Sequence, residues 1–224
     1  MSICIIGASS SLGKELLRQS QYRNEKVIAT YNSSSLEDPK AELVKLDLGK
    51  TNEINDFQPN NVSHLIFSQG LLLGETIGKY NSEDIDHAIG INLTSTLHLL
   101  NNMIKNESFS DSSLITFVSS ISAIRGSYDV VYSASKSALI GCAKSIAINS
   151  NPNLRANVIC PGLIDQSSMF ESMSSSDHER HIEQTPTGQL TKIEDLAEFI
   201  LMLDQPMFKN LNGAVINLYG GRHL

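Results

Sequence analysis

The sequence predicts an α/β fold in which a doubly wound parallel sheet of about seven strands carries helices on both faces. Three observations support this. Short β-branched or apolar runs recur along the chain, segments long enough for a helix separate most of them, and several of those segments repeat apolar residues at three- and four-residue steps. Strand alternating with helix implies parallel strands joined by right-handed crossovers, which bury both faces of the sheet.

The strand runs are ICII (3–6), VIATY (27–31), LVKL (43–46), HLIF (64–67), LITFV (114–118), ANVIC (156–160) and AVINL (214–218). A small-residue turn, Gly7-Ala8-Ser9-Ser10-Ser11-Leu12-Gly13, follows the first run and opens a helical pattern from Lys14 to Gln19. Residues 83–104 read as one long helix, with Ile85, Ala88, Ile89, Leu93, Leu97, Leu100 and Ile104 on its stripe. Residues 132–148, YSASKSALIGCAKSIAI, read as a well-packed helix, and a last one starts in TKIEDLAEFILML (191–203). The serine-rich stretches SSSLEDPK (33–40) and SSMFESMSSSDHER (167–180) read as surface or mobile loops. The second follows Pro161-Gly162, where a long excursion suits a loop that closes over an active site; a disordered insertion is the competing reading. With no repeat or linker, residues 1–224 are expected to form one domain.

Charge and cysteine content narrow the function classes. Seventeen Lys and Arg against 24 Asp and Glu give a formal charge of −7, without a basic run. That argues against a surface for nucleic acid or anionic lipid and toward a small-molecule or protein partner. Cys4, Cys142 and Cys160 lie far apart with no second Cys or His at metal-ligand spacing, so neither a disulfide framework nor a metal site is expected. Buried thiols in a reducing compartment are the expectation. The N-terminus enters its first apolar run without a basic leader, and no apolar stretch reaches the roughly 18 residues of a membrane span. The chain is therefore expected to be cytoplasmic.

Chemistry is expected at the C-terminal ends of the strands. The turn at 7–13 joins a strand to a helix N-terminus, whose free N–H groups and dipole suit a phosphate. Gly7 permits the tight turn and Gly13 close packing of helix on sheet. Ser119 and Ser120 end the fifth run, and Tyr132 and Lys136 stand four apart, on one face of a helix. An ammonium roughly 4 Å from a phenol, at an effective dielectric near 20, is worth up to about 4 kcal/mol, or nearly three pKa units. On that reckoning Lys136 brings Tyr132 from about 10 toward the working pH, where acid–base catalysis is most effective. The spacing alone decides nothing, because Tyr22 and Lys26 share it. Taken singly, the serines read as turn residues, Asn92 as a polar helix residue, Tyr132 as a core edge and Lys136 as a solvated charge. Their joint order is what points to a site.

Together these residues resemble the short-chain dehydrogenase/reductase family. Its first turn, T-G-x-x-x-G-x-G, is matched by Gly7 and by Leu12-Gly13, with Ser11 in place of the middle glycine. Its serine and Y-x-x-x-K are matched by Ser120, Tyr132 and Lys136, and Asn92 in NLTS matches its fourth member. The interval from Ser120 to Tyr132 is one residue shorter than the family pattern, so either Ser120 or Ser119 carries the serine role. Pro161-Gly162-Leu163-Ile164 resembles P-G-x-I, with Gln166 where threonine is common, and LNGAVINLYGG (211–221) resembles T-G-x-x-I-x-V-D-G-G, with Tyr219 replacing the aspartate.

The resemblance implies a single NAD(P)-binding Rossmann domain, with a cofactor half over about 1–110 and a catalytic and substrate half over about 111–224. Tyrosine would exchange a proton with the substrate oxygen, serine position that oxygen, lysine bind the nicotinamide ribose, and asparagine hold a water of the proton relay. Cofactor contacts carry over to Gly7, Ser9, Ser10, Ser11, Leu12 and Gly13 in the turn, and to Asp47 and Leu48 near the adenine. Ser68, Gln69 and Gly70 stand for the family's Asn-Ala-Gly, and Pro161, Gly162 and Ile164 meet the carboxamide. Asp47 has a competing reading as the cap of a helix beginning near Thr51. At the end of the second strand Tyr31, Asn32 and Ser33 replace the carboxylate of an NAD site, so NADP is preferred over NAD. The implied activity moves hydride between nicotinamide and a carbonyl or secondary alcohol. The alternative is a non-catalytic NAD(P)-binding redox sensor or scaffold, motivated by Ser11, Gln69 and Tyr219. A homodimer or homotetramer is implied, with apolar surface from 83–104 and 132–148, although both stripes also suit covering the sheet. Substrate identity rests on residues 71–80, 122–130 and 165–188, which carry no recognition signature.

Overall fold

Each apolar run expected to form a strand overlaps one, with Leu46 and Ala214 alone falling just outside their strands. The computed structural model describes residues 2–23, 25–149 and 153–222. Its strands are β1 (Ser2–Ile6), β2 (Lys26–Tyr31), β3 (Ala41–Lys45), β4 (Val62–Phe67), β5 (Phe109–Val118), β6 (Leu154–Pro161) and β7 (Val215–Leu218). All pair in parallel, in the order β3-β2-β1-β4-β5-β6-β7. The chain winds outward from β1 to β3, returns to place β4 beside β1, and continues to β7. The crevice for a ligand therefore opens at the C-terminal ends of β1 and β4, where the winding reverses.

Side-chain alternation along the strands feeds two cores. Ile3, Ile5 and Ile66 pack on one face with Leu12 and Leu16 of helix α1 (Ser11–Ser20) and with Leu196 and Ile200 further along the chain. Cys4, Ile6, Leu65 and Phe117 pack on the other with Leu99, Met103 and Leu139. Phe67 and Phe117 face each other in register on β4 and β5 and stack with centroids 5.3 Å apart. Burying such a side chain contributes roughly 1.5–3 kcal/mol, so these rings anchor the strands that frame the crevice.

The remaining helices are α2 (Thr51–Asp56), α3 (Ser82–Ile89), α4 (Ser95–Lys105), α5 (Ser122–Arg125), α6 (Val130–Asn149), α7 (Ser168–Glu171), α8 (Ser175–Glu183) and α9 (Ile193–Met202). Two of them correct the sequence reading. Residues 83–104 are not one helix: a π turn, Gly90–Thr94, separates α3 from α4. The Asn92 carboxamide holds that wide turn, accepting from the Leu71 N–H (2.7 Å), donating to the Leu71 carbonyl (2.9 Å) and donating to Ser135 Oγ (3.0 Å). Such turns mark functional positions. Residues 167–180, read as loop, instead form α7 and the start of α8. Ser167 and Ser174 are their N-caps, accepting from the N–H groups of Phe170 and Asp177, and Phe170 stacks on His178 with centroids 3.7 Å apart. Among the described residues no helix is long and apolar enough to cross a membrane.

Candidate active site

The glycine turn after β1 is fixed from two sides. Thr30 of β2 accepts the Gly7 N–H at its hydroxyl (3.1 Å) and the Ala8 N–H at its carbonyl (2.8 Å). Ser68, just past β4, donates its hydroxyl to the Ile6 carbonyl at 2.9 Å. Gly7 has φ +80°, and a Cβ there would lie 2.9 Å from Gln69; a Cβ on Gly13 would lie 2.4 Å from the Gly7 carbonyl oxygen. Only glycine fits either place. Ser10 caps α1, accepting the Gly13 N–H at 3.0 Å, and the other N–H groups of that first turn are left for an anion. The Ser11 hydroxyl accepts the Ser168 N–H (3.0 Å), which ties α7 across the turn.

Ser10, Ser11, Leu12, Ser68, Gln69, Gly70, Pro161, Gly162 and Ile164 line one cleft of about 170 Å³ together with Ser119, Ser120, Tyr132 and Lys136. Gly7, Ser9 and Gly13 belong to the turn beneath it. A Cβ on Gly70 would approach Lys136 Nζ to 3.2 Å, and one on Gly162 would approach Tyr219 equally closely, so both glycines give room to those neighbouring residues and leave the strand ends without side chains of their own. Glycine turn, helix N-terminus and bare strand ends together fit a dinucleotide.

Tyr31, Asn32 and Ser33 lie at the end of β2, and Asp47 and Leu48 beyond β3, on the same sheet edge but outside this cleft. Asp47 does not cap α2, whose N-cap is Lys50. It accepts the Gly49 N–H instead (2.9 Å) and pairs with the Lys50 ammonium at 3.5 Å. Leu48 packs on the core. Asn92 holds the π turn and does not line the cleft.

Lys136 is 3% exposed, and its ammonium donates to the carbonyls of Gln69 and Val118, each at 2.9 Å. It thereby joins the ends of β4 and β5 to α6. The two serines divide their tasks. Ser119 donates its hydroxyl to the Lys136 carbonyl (2.8 Å), which fixes α6 against β5, whereas Ser120 faces the Tyr132 phenol across the cleft.

The electrostatics differ from the expectation for the Tyr–Lys pair. Burial pushes the Tyr132 phenol up to about 12; hydrogen bonding with Ser120 pulls it back and the Asp129 charge raises it. Burial also pushes the Lys136 ammonium down to about 8. Lys136 Nζ lies 5.9 Å from the phenol ring centroid and is held by two carbonyls, so desolvation outweighs its attraction for a phenolate. In the ligand-free chain the phenol keeps its proton across the neutral range.

Asp129, which the sequence reading passed over, organises the approach to this centre. It is fully buried, and its Oδ1 accepts the Tyr132 N–H (2.9 Å), capping α6, as well as the Tyr80 hydroxyl (3.0 Å). Oδ2 accepts the N–H groups of Leu73 and Gly74, both at 2.9 Å. One carboxylate thus pins the start of the tyrosine helix and the loop after β4, each charged hydrogen bond contributing about 1.5–3 kcal/mol. An aspartate three residues ahead of Tyr132, at the start of an apolar helical run, was the available signal.

The family model described as Enoyl-(Acyl carrier protein) reductase matches residues 7–223. The chain belongs to the short-chain dehydrogenase/reductase family of oxidoreductases. Among its relatives in this family, 3-oxoacyl-[acyl-carrier-protein] reductase FabG of Buchnera aphidicola is 29% identical over 192 residues, covering 81% of this chain and 77% of the relative. Carbonyl reductase family member 4 of Xenopus tropicalis is 27% identical over 236 residues, covering 98% and 97%. Two solved structures share the fold. A short-chain dehydrogenase family protein from Francisella tularensis has a TM-score of 0.89 at 20% identity, covering 99% of this chain and 98% of its own. A short-chain dehydrogenase/reductase from Brucella melitensis has a TM-score of 0.90 at 21% identity, covering 100% and 96%.

Three of the departures from the family motifs have places in this fold. Ser11 holds α7, Gln69 donates to Thr96 Oγ1 (2.9 Å), and Tyr219 packs against Gly162.

The lowered Lys136 value carries a sign. Between about 8 and its ordinary 10.5 the unfolded chain binds the extra proton, so this group's contribution to stability rises with pH through that window. Urea unfolding at about pH 7 and about pH 9.5 should show wild type gaining about 2 kcal/mol relative to Lys136→Met. Parallel pH dependence in the two proteins would contradict a buried, neutralisable Lys136.

Proposed function

We propose that the chain is an NAD(P)-dependent carbonyl reductase in which Tyr132 delivers the proton. The observation that carries this reading is that the Tyr132 phenol, facing Ser120, lines the same cleft as Ser10, Ser11 and Leu12 of the glycine turn. The Ser120 hydroxyl orients the substrate carbonyl by donating to its oxygen. Tyr132 gives its proton to that oxygen as it becomes an alkoxide, a stronger base than the phenolate left behind. Bound NAD(P)H would supply the hydride to the carbonyl carbon. The first turn of α1 would hold a pyrophosphate, and the backbone at Pro161, Gly162 and Ile164 would meet the nicotinamide. Lys136, packed against Gly70 and held by two carbonyls, would present its ammonium to the cofactor's ribose. Asn92 acts through the π turn that supports Leu71.

Reduction is supported by the names of two relatives, a 3-oxoacyl reductase and a carbonyl reductase. NADP is preferred because Tyr31, Asn32 and Ser33 place no carboxylate against a 2′-phosphate. A homodimer or homotetramer is also part of this reading, since Leu97, Ile104 and Ile148 are exposed on the outer faces of α4 and α6. Light scattering should return two or four times the monomer mass; a monomer at micromolar concentration would remove that part.

Tyr132→Phe should lower carbonyl reduction at least about 100-fold while NADPH binding, read by fluorescence titration, stays within about twofold. The same titration should favour NADPH over NADH. A Phe variant with full turnover would overturn the assignment of the proton donor.

A further inference from the structure

Beyond Ser120 and Tyr132 the cleft opens into a second cavity of about 440 Å³, which shares those two residues, Gly162, Leu163 and Met169 with the first. Its far wall is cationic. Arg125, Arg180 and Arg222, three of the chain's six arginines, line it with His181, and among the described residues no carboxylate does. This stands against a protein of net charge −7. Arg180 has a partner in Asp177 at 2.7 Å, but among the described residues no acid pairs with Arg125 or Arg222.

Arg222 is the unusual member. Only 8% exposed, it donates to Gln184 Oε1 and faces His181 Nδ1, while its buried Nε has no partner among the described residues. His181 is held neutral, down at about 4, by burial and by the three arginines, so its Nδ1 accepts from Arg222 and its Nε2 carries a proton. The wall therefore presents donors, and among the described residues the charges of Arg125 and Arg222 have no acidic partner. A buried guanidinium with an Nε that lacks a partner and, among the described residues, no counter-charge is costly, and an anion entering the cavity removes that cost.

We propose that the reductase acts on small oxo acids, whose carboxylate is held by Arg222 and Arg125 while the carbonyl sits against Ser120 and Tyr132. The inference rests on the reductase reading above and names its substrate class. Hydride from NAD(P)H and the Tyr132 proton convert the oxo acid to the hydroxy acid, the carboxylate remaining unchanged. Burial of Arg222 inside the cavity favours a small anion over the acidic surface of a carrier protein.

The test compares NADPH- and NADH-dependent reduction of acetoacetate and 4-oxopentanoate with that of their methyl esters and neutral thioesters, in wild type, Arg222→Gln and Arg125→Gln. Arg125 is exposed, so its variant reports even if the buried Arg222 variant fails to fold. The proposal expects kcat/KM for at least one acid to exceed that of its ester by roughly tenfold or more, and that ratio to fall toward one in the variants. Equal turnover of acid and ester, faster turnover of the thioester, or an acid preference untouched by both substitutions would overturn it while leaving the reductase reading intact. Calorimetry with malonate separates the two claims. If no carbonyl is reduced, malonate binding that is weakened in Arg125→Gln upholds the anion site and sinks the reductase, whereas no malonate binding sinks the site. Tighter binding of inorganic phosphate than of malonate would reassign the cavity to a phosphorylated ligand and overturn the carboxylate assignment.

Discussion

A buried ammonium held by two strand ends is the interaction on which the rest of this site depends. Taking Lys136 out of water costs several kcal/mol, and the carbonyls of Gln69 and Val118 offset that cost only while β4, β5 and α6 keep their mutual positions. Those positions are maintained below by the Phe67–Phe117 stack and beside it by the Ser119 bond to the Lys136 carbonyl. Gly70 is bare because Nζ fills the space where a side chain would be. The sheet edge, the helix carrying Tyr132 and the floor of the cleft are thus one construction.

Around that cation the charges are sorted by depth. Asp129 sits buried behind Tyr132, where it caps α6 and raises the phenol. Burial itself does most to keep the phenol protonated, which suits a proton donor in reduction. Farther out, beyond Ser120, lie the arginines of the second cavity, and at the opposite end the open N–H groups of α1. The polar groups of the edge run from anion-binding turn, through proton donor, to cationic wall. An extended cofactor and a short anionic substrate would meet at Tyr132 along that line.

Much of this was legible in the sequence because parallel strands buried on both faces must be apolar throughout, so seven runs announced seven strands. Gly7 and Gly13 were legible because their lack of a side chain serves a local turn. The tyrosine and lysine stood out by their place in the strand order. What escaped required tertiary partners. The π turn exists because Asn92 finds the backbone of Leu71, a partner no helical periodicity reveals. Ser119 and Ser120 could not be separated by spacing, only by where each hydroxyl points. Ser167 and Ser174 read as loop composition although they are caps. Spacing shows the attraction between Lys136 and the Tyr132 phenol but not the desolvation that dominates, because burial depends on the whole fold. Arg222 reaches the cavity from the far end of the chain, beside arginines about 40 and about 100 residues earlier, and only the fold brings them together.

The most direct measurement is isotopic. NADPH carrying deuterium at both hydrogens of nicotinamide C4 would be incubated with the chain and a panel of oxo acids and neutral carbonyls, and the alcohols analysed by mass spectrometry and NMR. A hydride-transferring site at this sheet edge predicts an alcohol carrying deuterium on the former carbonyl carbon, formed by wild type and lost in Tyr132→Phe. An unlabelled alcohol, or none from any member of the panel while NADPH binds, would contradict the account.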